Sequence, residues 1–147
     1  MTLFAKKVPI NLSPEISGVI KDNGKPVAHI EVERSVYLNF TGDYYTDKVL
    51  TDSNGQFHFP EKTAELKKPS NLTTVVKRHE LYVEYKNKHV PIWFMNIHTL
   101  NPVKVINEKL QGLNCDLNNQ EQQFDFEDSD YPASTFSTLT LCRWNDN

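Results

Sequence analysis

Five histidines and two cysteines are the residues of this chain that could bind a transition metal. The histidines form no H-x-H, H-E-x-x-H or H-x-x-E-H pattern, and neither cysteine has a C-x-x-C neighbour. Alternation of the flanking residues places several histidines at outward positions, as is typical of surface side chains. The sequence therefore predicts no metal site and no cofactor. The residues concerned are His29, His58, His79, His89, His98, Cys115 and Cys142.

Catalytic motifs are not found either. The chain contains neither the G-x-S-x-G turn that presents a nucleophilic serine nor the G-x-x-x-x-G-K-[ST] loop that binds phosphates. Asp43, Asp47 and Asp52 are residues that could bind calcium, but they lack the spacing and the distal glutamate of an EF-hand loop. We therefore expect a non-catalytic protein.

A first candidate binding segment, the tyrosine segment Thr41–Asp47, combines a glycine and two acids with two adjacent tyrosines. Its candidate contact residues are Asp43, Tyr44 and Tyr45. Tyrosine offers a large amphipathic contact area at modest entropic cost, and protein interfaces are enriched in it. We expect these residues in an exposed loop. The alternative is a strand edge at which either tyrosine is half-buried.

A second candidate is the acidic segment Glu121–Tyr131. Its carboxylates could attract a protein partner with a basic surface and raise the association rate, and the alternative is an ordinary solvated loop. The net charge of the whole chain is −3. We expect no nucleic-acid partner, because such a partner usually requires a basic face. The candidate contact residues are Glu121, Asp125, Glu127, Asp128, Asp130 and Tyr131.

The elements that must position these segments are predicted to be β-strands. Apolar and polar residues alternate on both sides of Asn23-Gly24, which predicts a hairpin between Ile16–Lys21 and Ala28–Val36. A second Asn-Gly turn precedes the alternating strand Gln56–Pro60. The polar stretch Glu61–Leu72 is predicted to be a long connection.

Later segments continue the pattern. Val75–Tyr85 and His89–Ile97 alternate around a short polar turn and predict a second hairpin. Val103–Leu113 keeps helical spacing, so that a short helix and a strand are both compatible with it. Gln122–Phe126 and Phe136–Trp144 are predicted to be strands.

Length and composition agree with one domain over residues 1–147, because this is a common domain size and no repeat or linker divides the chain. The aromatic content of 11% and the eight prolines suit a β-sandwich. We expect an all-β, mostly antiparallel, two-layer sandwich with room for one short helix. The predicted core residues are Val19, Val32, Phe57, Phe59, Val83 and Ile92.

Two motifs carry a resemblance to a known family. Ser17–Val27 and Thr51–Phe57 are similar to the patterns G-x-V-x-D-x-x-G-x-P-(V/L) and T-(D/N)-x-x-G-x-F of carboxypeptidase regulatory-like, transthyretin-like domains. The resemblance covers roughly the first sixty residues and implies a transthyretin-like antiparallel β-sandwich, without naming a function. A hydrolase relative, hydroxyisourate hydrolase, ends in Tyr-Arg-Gly-Ser. This chain ends with Cys142–Asn147 instead, so the catalytic ending is not carried over.

The whole chain, including Leu113–Asp116 and Leu141–Trp144, also resembles a family of small proteobacterial proteins associated with type VI secretion loci. Together with the missing catalytic motifs, this implies an intracellular protein-binding domain, most concretely an immunity protein that neutralises a toxin delivered between bacteria. The alternative is a structural or carbohydrate-binding accessory sandwich of a secretion or envelope assembly. A sugar binder would need exposed aromatic side chains, but Trp93 lies in an apolar run and Trp144 near the chain end.

The sequence favours a cytoplasmic protein. Lys6 and Lys7 are not followed by the apolar stretch of a signal peptide. No segment approaches the roughly eighteen apolar residues of a membrane helix, so no membrane partner is expected. In the cytoplasm Cys115 and Cys142 are expected to be buried, reduced thiols, with a disulfide as the alternative.

Overall fold

The computed structural model describes residues 6–144, so residues 1–5 and 145–147 of the predicted domain, including the end of the chain compared with the hydrolase, lie outside it. The described part contains thirteen strands and one short helix. The strands are β1 (Lys7–Ser13), β2 (Ile16–Asp22), β3 (Lys25–Pro26), β4 (Glu31–Leu38), β5 (Asp43–Leu50), β6 (Gln56–Phe59), β7 (Lys62–Lys67), β8 (Lys77–Tyr85), β9 (Lys88–Ile97), β10 (Leu113–Asp116), β11 (Gln122–Glu127), β12 (Thr135–Thr140) and β13 (Cys142–Arg143), and the helix is α1 (Lys104–Lys109).

Two layers enclose the core. One is a six-stranded antiparallel sheet in the order β11-β12-β9-β8-β4-β5. The other contains a five-stranded sheet, β13-β10-β2-β3 with β6 also on β2, and the two-stranded sheet β1-β7. All pairs are antiparallel except β2 with β10. The predicted all-β sandwich is therefore confirmed.

Core residues come from both layers. Five of the six predicted core residues are buried, and Val19 is the exception because Ile16 and Ile20 of the same strand face inward instead. Side chains alternate between the two sides of a strand, so assigning the wrong side to the core exchanges the buried and the exposed residues. Gly18 also faces the core, and a Cβ there would lie 2.7 Å from the Leu113 carbonyl oxygen.

The first predicted hairpin is only partly correct. Asn23 and Gly24 have φ values of 52° and 79°, as an Asn-Gly hairpin turn requires. Only two residue pairs follow, and the chain then crosses to the other layer, where β4 pairs with β5 and β8. The buried Thr51 fixes the crossing, because its hydroxyl donates to the Val27 carbonyl at 2.8 Å and accepts from the Ile30 N–H at 3.0 Å.

The second hairpin is confirmed. β8 and β9 pair around a two-residue turn in which Lys86 and Asn87 have φ values of 50° and 62°. A register shift after Leu81 turns both Ile92 and Trp93 into the core. The ambiguous stretch Val103–Leu113 divides, since α1 occupies its first half and β10 begins at its last residue.

A bent ribbon joins the two parts of the second layer. β1 pairs with β7 up to Ser13 opposite Lys62, and β2 pairs with β6 from Ile16 opposite Phe59, in one continuing register. The predicted connection Glu61–Leu72 is therefore wrong over β7. The ladder stops at Pro14 and Pro60 because proline has no N–H to donate.

Arg34 of β4 binds the main chain at this bend. Its Nη1 donates to the carbonyl oxygens of Pro60 at 2.8 Å and Pro14 at 3.4 Å. Its Nε and Nη2 donate to the Asp47 carboxylate at 2.9 and 2.6 Å. One buried guanidinium thus connects the six-stranded sheet to the bent ribbon.

Cys115 and Cys142 form a disulfide with an S–S distance of 2.01 Å, so the expectation of two reduced thiols is wrong. The residues lie directly opposite each other on β10 and β13, and both are fully buried. Pairing of these two short strands is what brings the sulfur atoms together.

Candidate functional site

The solvent-facing side of the six-stranded sheet, which we call the outer face, carries three of the nine candidate residues, Tyr44, Asp125 and Glu127. It is formed by every second residue of each strand, since side chains alternate between the two sides of a sheet. The register places the following residues on it: Glu31, Glu33 and Tyr37; Tyr44, Thr46, Lys48 and Leu50; Arg78, Glu80, Tyr82 and Glu84; His89, Phe94 and Asn96; Gln123, Asp125 and Glu127; Thr135, Ser137 and Leu139.

Carboxylates outnumber permanent cations on the outer face. Lys48 bonds Glu31 at 3.1 Å, and Arg78 bonds Glu80 at 2.9 Å. The other four acids have no lysine or arginine partner within the described chain. The face is therefore acidic. The four acids are Glu33, Glu84, Asp125 and Glu127.

An aromatic row crosses the β5 side of the outer face. The rings of Tyr44 and Tyr37 lie 4.9 Å apart, and the Arg78 guanidinium lies 4.9 Å from the Tyr37 ring. Further along β8 and β9, Tyr82 stacks on His89 at 4.3 Å. Sequence analysis missed Tyr37, Arg78 and Tyr82 as surface residues, although alternation in β4 and β8 was the signal that could have identified them.

The tyrosine segment does not form the predicted loop. Tyr44 and Tyr45 lie within β5, and Asp43 begins that strand as an exposed residue. Tyr44 is 60% exposed on the outer face. Tyr45 points the other way and is half-buried against a small apolar cluster that contains Leu38. The strand-edge alternative is therefore the one that the structure adopts.

Two members of the acidic segment, Asp125 and Glu127, are exposed on the outer face in β11. Gln123 and Ser137 donate to Oδ1 of Asp125 at 3.0 and 2.7 Å. These hydrogen bonds lower the pKa of the Asp125 carboxyl below its ordinary value. Asp125 is thus held ionised with a fixed orientation.

Asp128 is buried, so it does not offer the exposed carboxylate that the sequence suggested. It is only 6% exposed, and its carboxylate accepts hydrogen bonds from the main-chain N–H groups of Val105 at 2.8 Å and Asp130 at 2.9 Å. Helix α1 has no side-chain cap of its own, so Asp128 stabilises its first turn from a distant segment. Tyr131 is half-buried, with its ring 5.8 Å from Phe136.

The remaining acids and the tyrosine segment lie in different places. Glu121 and Asp130 are exposed on either side of β11. β11 and β5 are opposite edges of the six-stranded sheet, about 24 Å apart at the usual spacing of neighbouring strands. The sequence-predicted residues therefore form two separate surfaces rather than one.

A groove lies beside Asp125, between β9 and β12, and we call it the sheet groove. It consists of two adjoining cavities of about 360 and 290 Å³ that share Asn96, His98 and Thr135. Phe94 and Leu139 are paired across the two strands and form its apolar part. Together the cavities have the size of a ligand or side-chain pocket.

A second cluster of polar residues is buried between the layers. The Ser13 hydroxyl lies 2.9 Å from Nε2 of His79, beside the Arg34 guanidinium. Burial, with the nearby Lys77 and Arg34 charges, lowers the pKa of His79 to about 3. Ser13 and His79 are 0% and 1% exposed, so this serine–histidine pair is closed to a substrate and belongs to the core.

The described residues contain no group of three histidine, cysteine or acidic side chains placed to hold a metal ion. No helix between residues 6 and 144 is long and apolar enough to cross a membrane. Neither tryptophan offers an exposed platform, since Trp93 is buried and Trp144 packs edge-on against Phe124 and Phe126.

Comparison with known families gives one match. The model of a family described as "Domain of unknown function (DUF6795)" matches residues 16–120, more than half of the chain, and the chain belongs to this family. No curated protein and no solved structure matches it. The matched part ends before Glu121, so the acidic segment lies outside it.

Proposed function

We propose that this domain is a non-catalytic protein-binding domain that uses the β11 side of its outer face to bind a basic surface of a protein partner. The observation that supports the proposal is the charge of that side, on which Asp125 and Glu127 have no lysine or arginine partner within residues 6–144. Complementary charge raises association rates and disfavours partners of the wrong sign.

The sheet groove supplies the apolar part of the contact. An apolar side chain of the partner packs onto Phe94 and Leu139 in the groove, while a lysine or arginine next to it pairs with Asp125. Gln123 and Ser137 both donate to Oδ1 of Asp125, which leaves Oδ2 for the partner. A buried apolar anchor beside an oriented carboxylate is the arrangement typical of binding hot spots.

The partner that we propose is a toxin delivered between bacteria, for which this domain would be the immunity protein. The resemblance to proteins of type VI secretion loci supports this choice, and so does the acidic outer face, because its charge complements a toxin whose active-site surface is basic. An acidic face of this extent would cover such a surface and exclude its substrate.

The disulfide affects the proposed compartment. Reducing systems keep cytosolic thiols unpaired, so the linkage between Cys115 and Cys142 weighs against the cytoplasmic location that the sequence suggested. We therefore place the encounter with the toxin in an oxidising compartment. The test is mass spectrometry of protein that is alkylated without reductant after rapid acid quenching of native cells. Two alkylated cysteines would contradict the disulfide and support a cytoplasmic location.

The functional experiment uses co-expression with the candidate toxin encoded next to this protein. The wild-type domain is expected to restore growth, and a variant with Asp125→Asn and Glu127→Gln to protect less. In binding kinetics the same variant should associate more slowly and with a flatter salt dependence. Glu65→Gln, which removes one carboxylate, is the control for an acid elsewhere on the surface, because Glu65 is exposed on β7, away from the outer face.

Two results would reject the proposal. One is a toxin–domain complex whose affinity and salt dependence are the same for the wild type and the charge variant. The other is growth protection that survives Phe94→Ala together with the two charge changes, with circular dichroism confirming that the fold is intact.

A further inference from the structure

The free edge of β5 is a second interaction surface. β5 is the last strand of the six-stranded sheet, and no strand within residues 6–144 pairs with its other side. All eight of its residues pair with β4 without a register shift, and none is a proline. Such an open, regular edge lacks the bulges and prolines that usually prevent strands from pairing with another chain.

The main-chain groups that face this edge can be identified. The Thr51 N–H donates to the Ile30 carbonyl oxygen, and the Asn39 N–H donates to Val76 on the opposite side of β4. Hydrogen bonding alternates along an antiparallel strand, so the odd-numbered residues of β5 bond β4. The even-numbered ones direct N–H and C=O toward the free edge. They are Tyr44, Thr46, Lys48 and Leu50.

The side chains of the same four residues lie on the outer face, and two of them are exposed apolar groups. Tyr44 is 60% exposed and Leu50 is 64% exposed. They stand at the two ends of β5, separated by six positions. An antiparallel strand with the same sequence would bring a tyrosine opposite each leucine.

We infer that β5 pairs with β5 of a second copy of this chain, antiparallel and two-fold symmetric, with Tyr44 opposite the second copy's Leu50 and Thr46 opposite its Lys48. This register uses the whole strand and forms roughly eight main-chain hydrogen bonds, two for each hydrogen-bonded pair. It covers both exposed apolar side chains, and the six-stranded sheets of the two copies become one continuous sheet.

Charge is compatible with this pairing. Asp47 meets Asp47 of the second copy at the two-fold axis, but its carboxylate points beneath the sheet, where Arg34 binds it at both oxygens and Lys62 lies 3.8 Å away. The opposite edge, β11, presents Asp125 and Glu127 instead, and antiparallel self-pairing would bring acids close to acids. β5 is thus the edge suited to a second copy.

The first test is sedimentation equilibrium of the full chain from micromolar to millimolar concentration. The wild type is expected to become a dimer as concentration rises. Thr46→Pro removes an N–H from the free edge but none from the bonds to β4, so it is expected to remain monomeric. Thr46→Val keeps the N–H and should dimerise like the wild type. Leu50→Glu tests the same edge without altering the main chain, should the proline variant fail to fold.

The second test determines the register by cysteine cross-linking. Tyr44→Cys with Leu50→Cys is expected to oxidise to a covalent dimer, whereas Tyr44→Cys with Lys48→Cys is not. A wild type that stays monomeric throughout, or a dimer that Thr46→Pro and Leu50→Glu leave intact, overturns the inference. Cross-linking of the second pair alone overturns the register on which the inference rests. None of these results depends on the toxin.

Discussion

Protonation of His79 should make this protein less stable in mild acid. Its imidazole is 1% exposed, Nδ1 has no hydrogen-bond partner among the described residues, and its pKa is lowered from 6.5 to about 3. Between these values the unfolded chain binds one proton more than the folded chain, so the free energy of unfolding falls as the pH falls. From pH 7 to pH 5 the loss is about 2 kcal/mol, since a full proton difference is worth roughly 1.4 kcal/mol per pH unit.

The assay is urea unfolding at pH 7, 6 and 5, followed by tryptophan fluorescence. His79→Gln keeps a polar side chain of similar length that cannot be protonated, so its free energy of unfolding should lose about 2 kcal/mol less than that of the wild type over the same range. The carboxyls with lowered pKa titrate below 3.8, outside this window.

The matched control is His58→Gln, because the side chain of His58 is 56% exposed. This variant should retain the loss seen in the wild type. If the wild type and His79→Gln show parallel pH dependence, burial does not hold His79 neutral, and the attribution of its lowered pKa to burial is wrong.

Two further predictions concern stability. Replacing both Cys115 and Cys142 with serine should lower the free energy of unfolding by about 3.5 kcal/mol from chain entropy alone, because the disulfide spans 27 residues. Urea titration of the wild type and the variant, with and without reductant, measures this loss. Equal midpoints for the two proteins without reductant would contradict the prediction. Lys77→Met should raise the free energy of unfolding at pH 7 by about 1–3 kcal/mol, because burial lowers the pKa of Lys77 to about 8. Within residues 6–144 the one hydrogen bond of its ammonium group is a 3.4 Å contact with the Asn11 carbonyl oxygen. The pKa of Lys77 in the folded protein lies below the unfolded value of 10.5, so the free energy of unfolding of the wild type should rise between pH 8 and 10.5. Lys77→Met should not show this rise. A variant that is less stable than the wild type at pH 7 would contradict the prediction.

Local signals in the sequence predicted the turns correctly but not always what the turns connect. Asn23-Gly24 forms the expected turn. Alternation of apolar and polar residues, however, does not distinguish a strand that pairs within the same sheet from one that crosses to the other sheet. The crossing depends on Thr51, which lies more than twenty positions away and binds Val27 and Ile30. No window around the hairpin contains that information.

The candidate site shows the same division. Period-two alternation was enough to place Asp125 and Glu127 on one face of a strand, and it could have placed Arg78 there too. Asp128 continues the same acidic run, but it is buried because α1 begins beside it and lacks a cap. The disulfide likewise depends on β10 lying next to β13, a pairing of two short strands without a turn signal between them.

The parallel pair β2–β10 affects how the chain can fold during synthesis. Gly18 of β2 is synthesised early, but its partner on β10 is Leu113. β13, which pairs with β10 in the same sheet, follows only at residues 142–143. Pairing over such long sequence separations carries a large loop-closure cost and is slow. The second layer therefore cannot be completed while the ribosome is still adding the last strands. Until then β2 can pair only with β3 and β6, and its edge towards β10 stays open, which is the kind of exposed strand edge that makes a folding chain prone to aggregation.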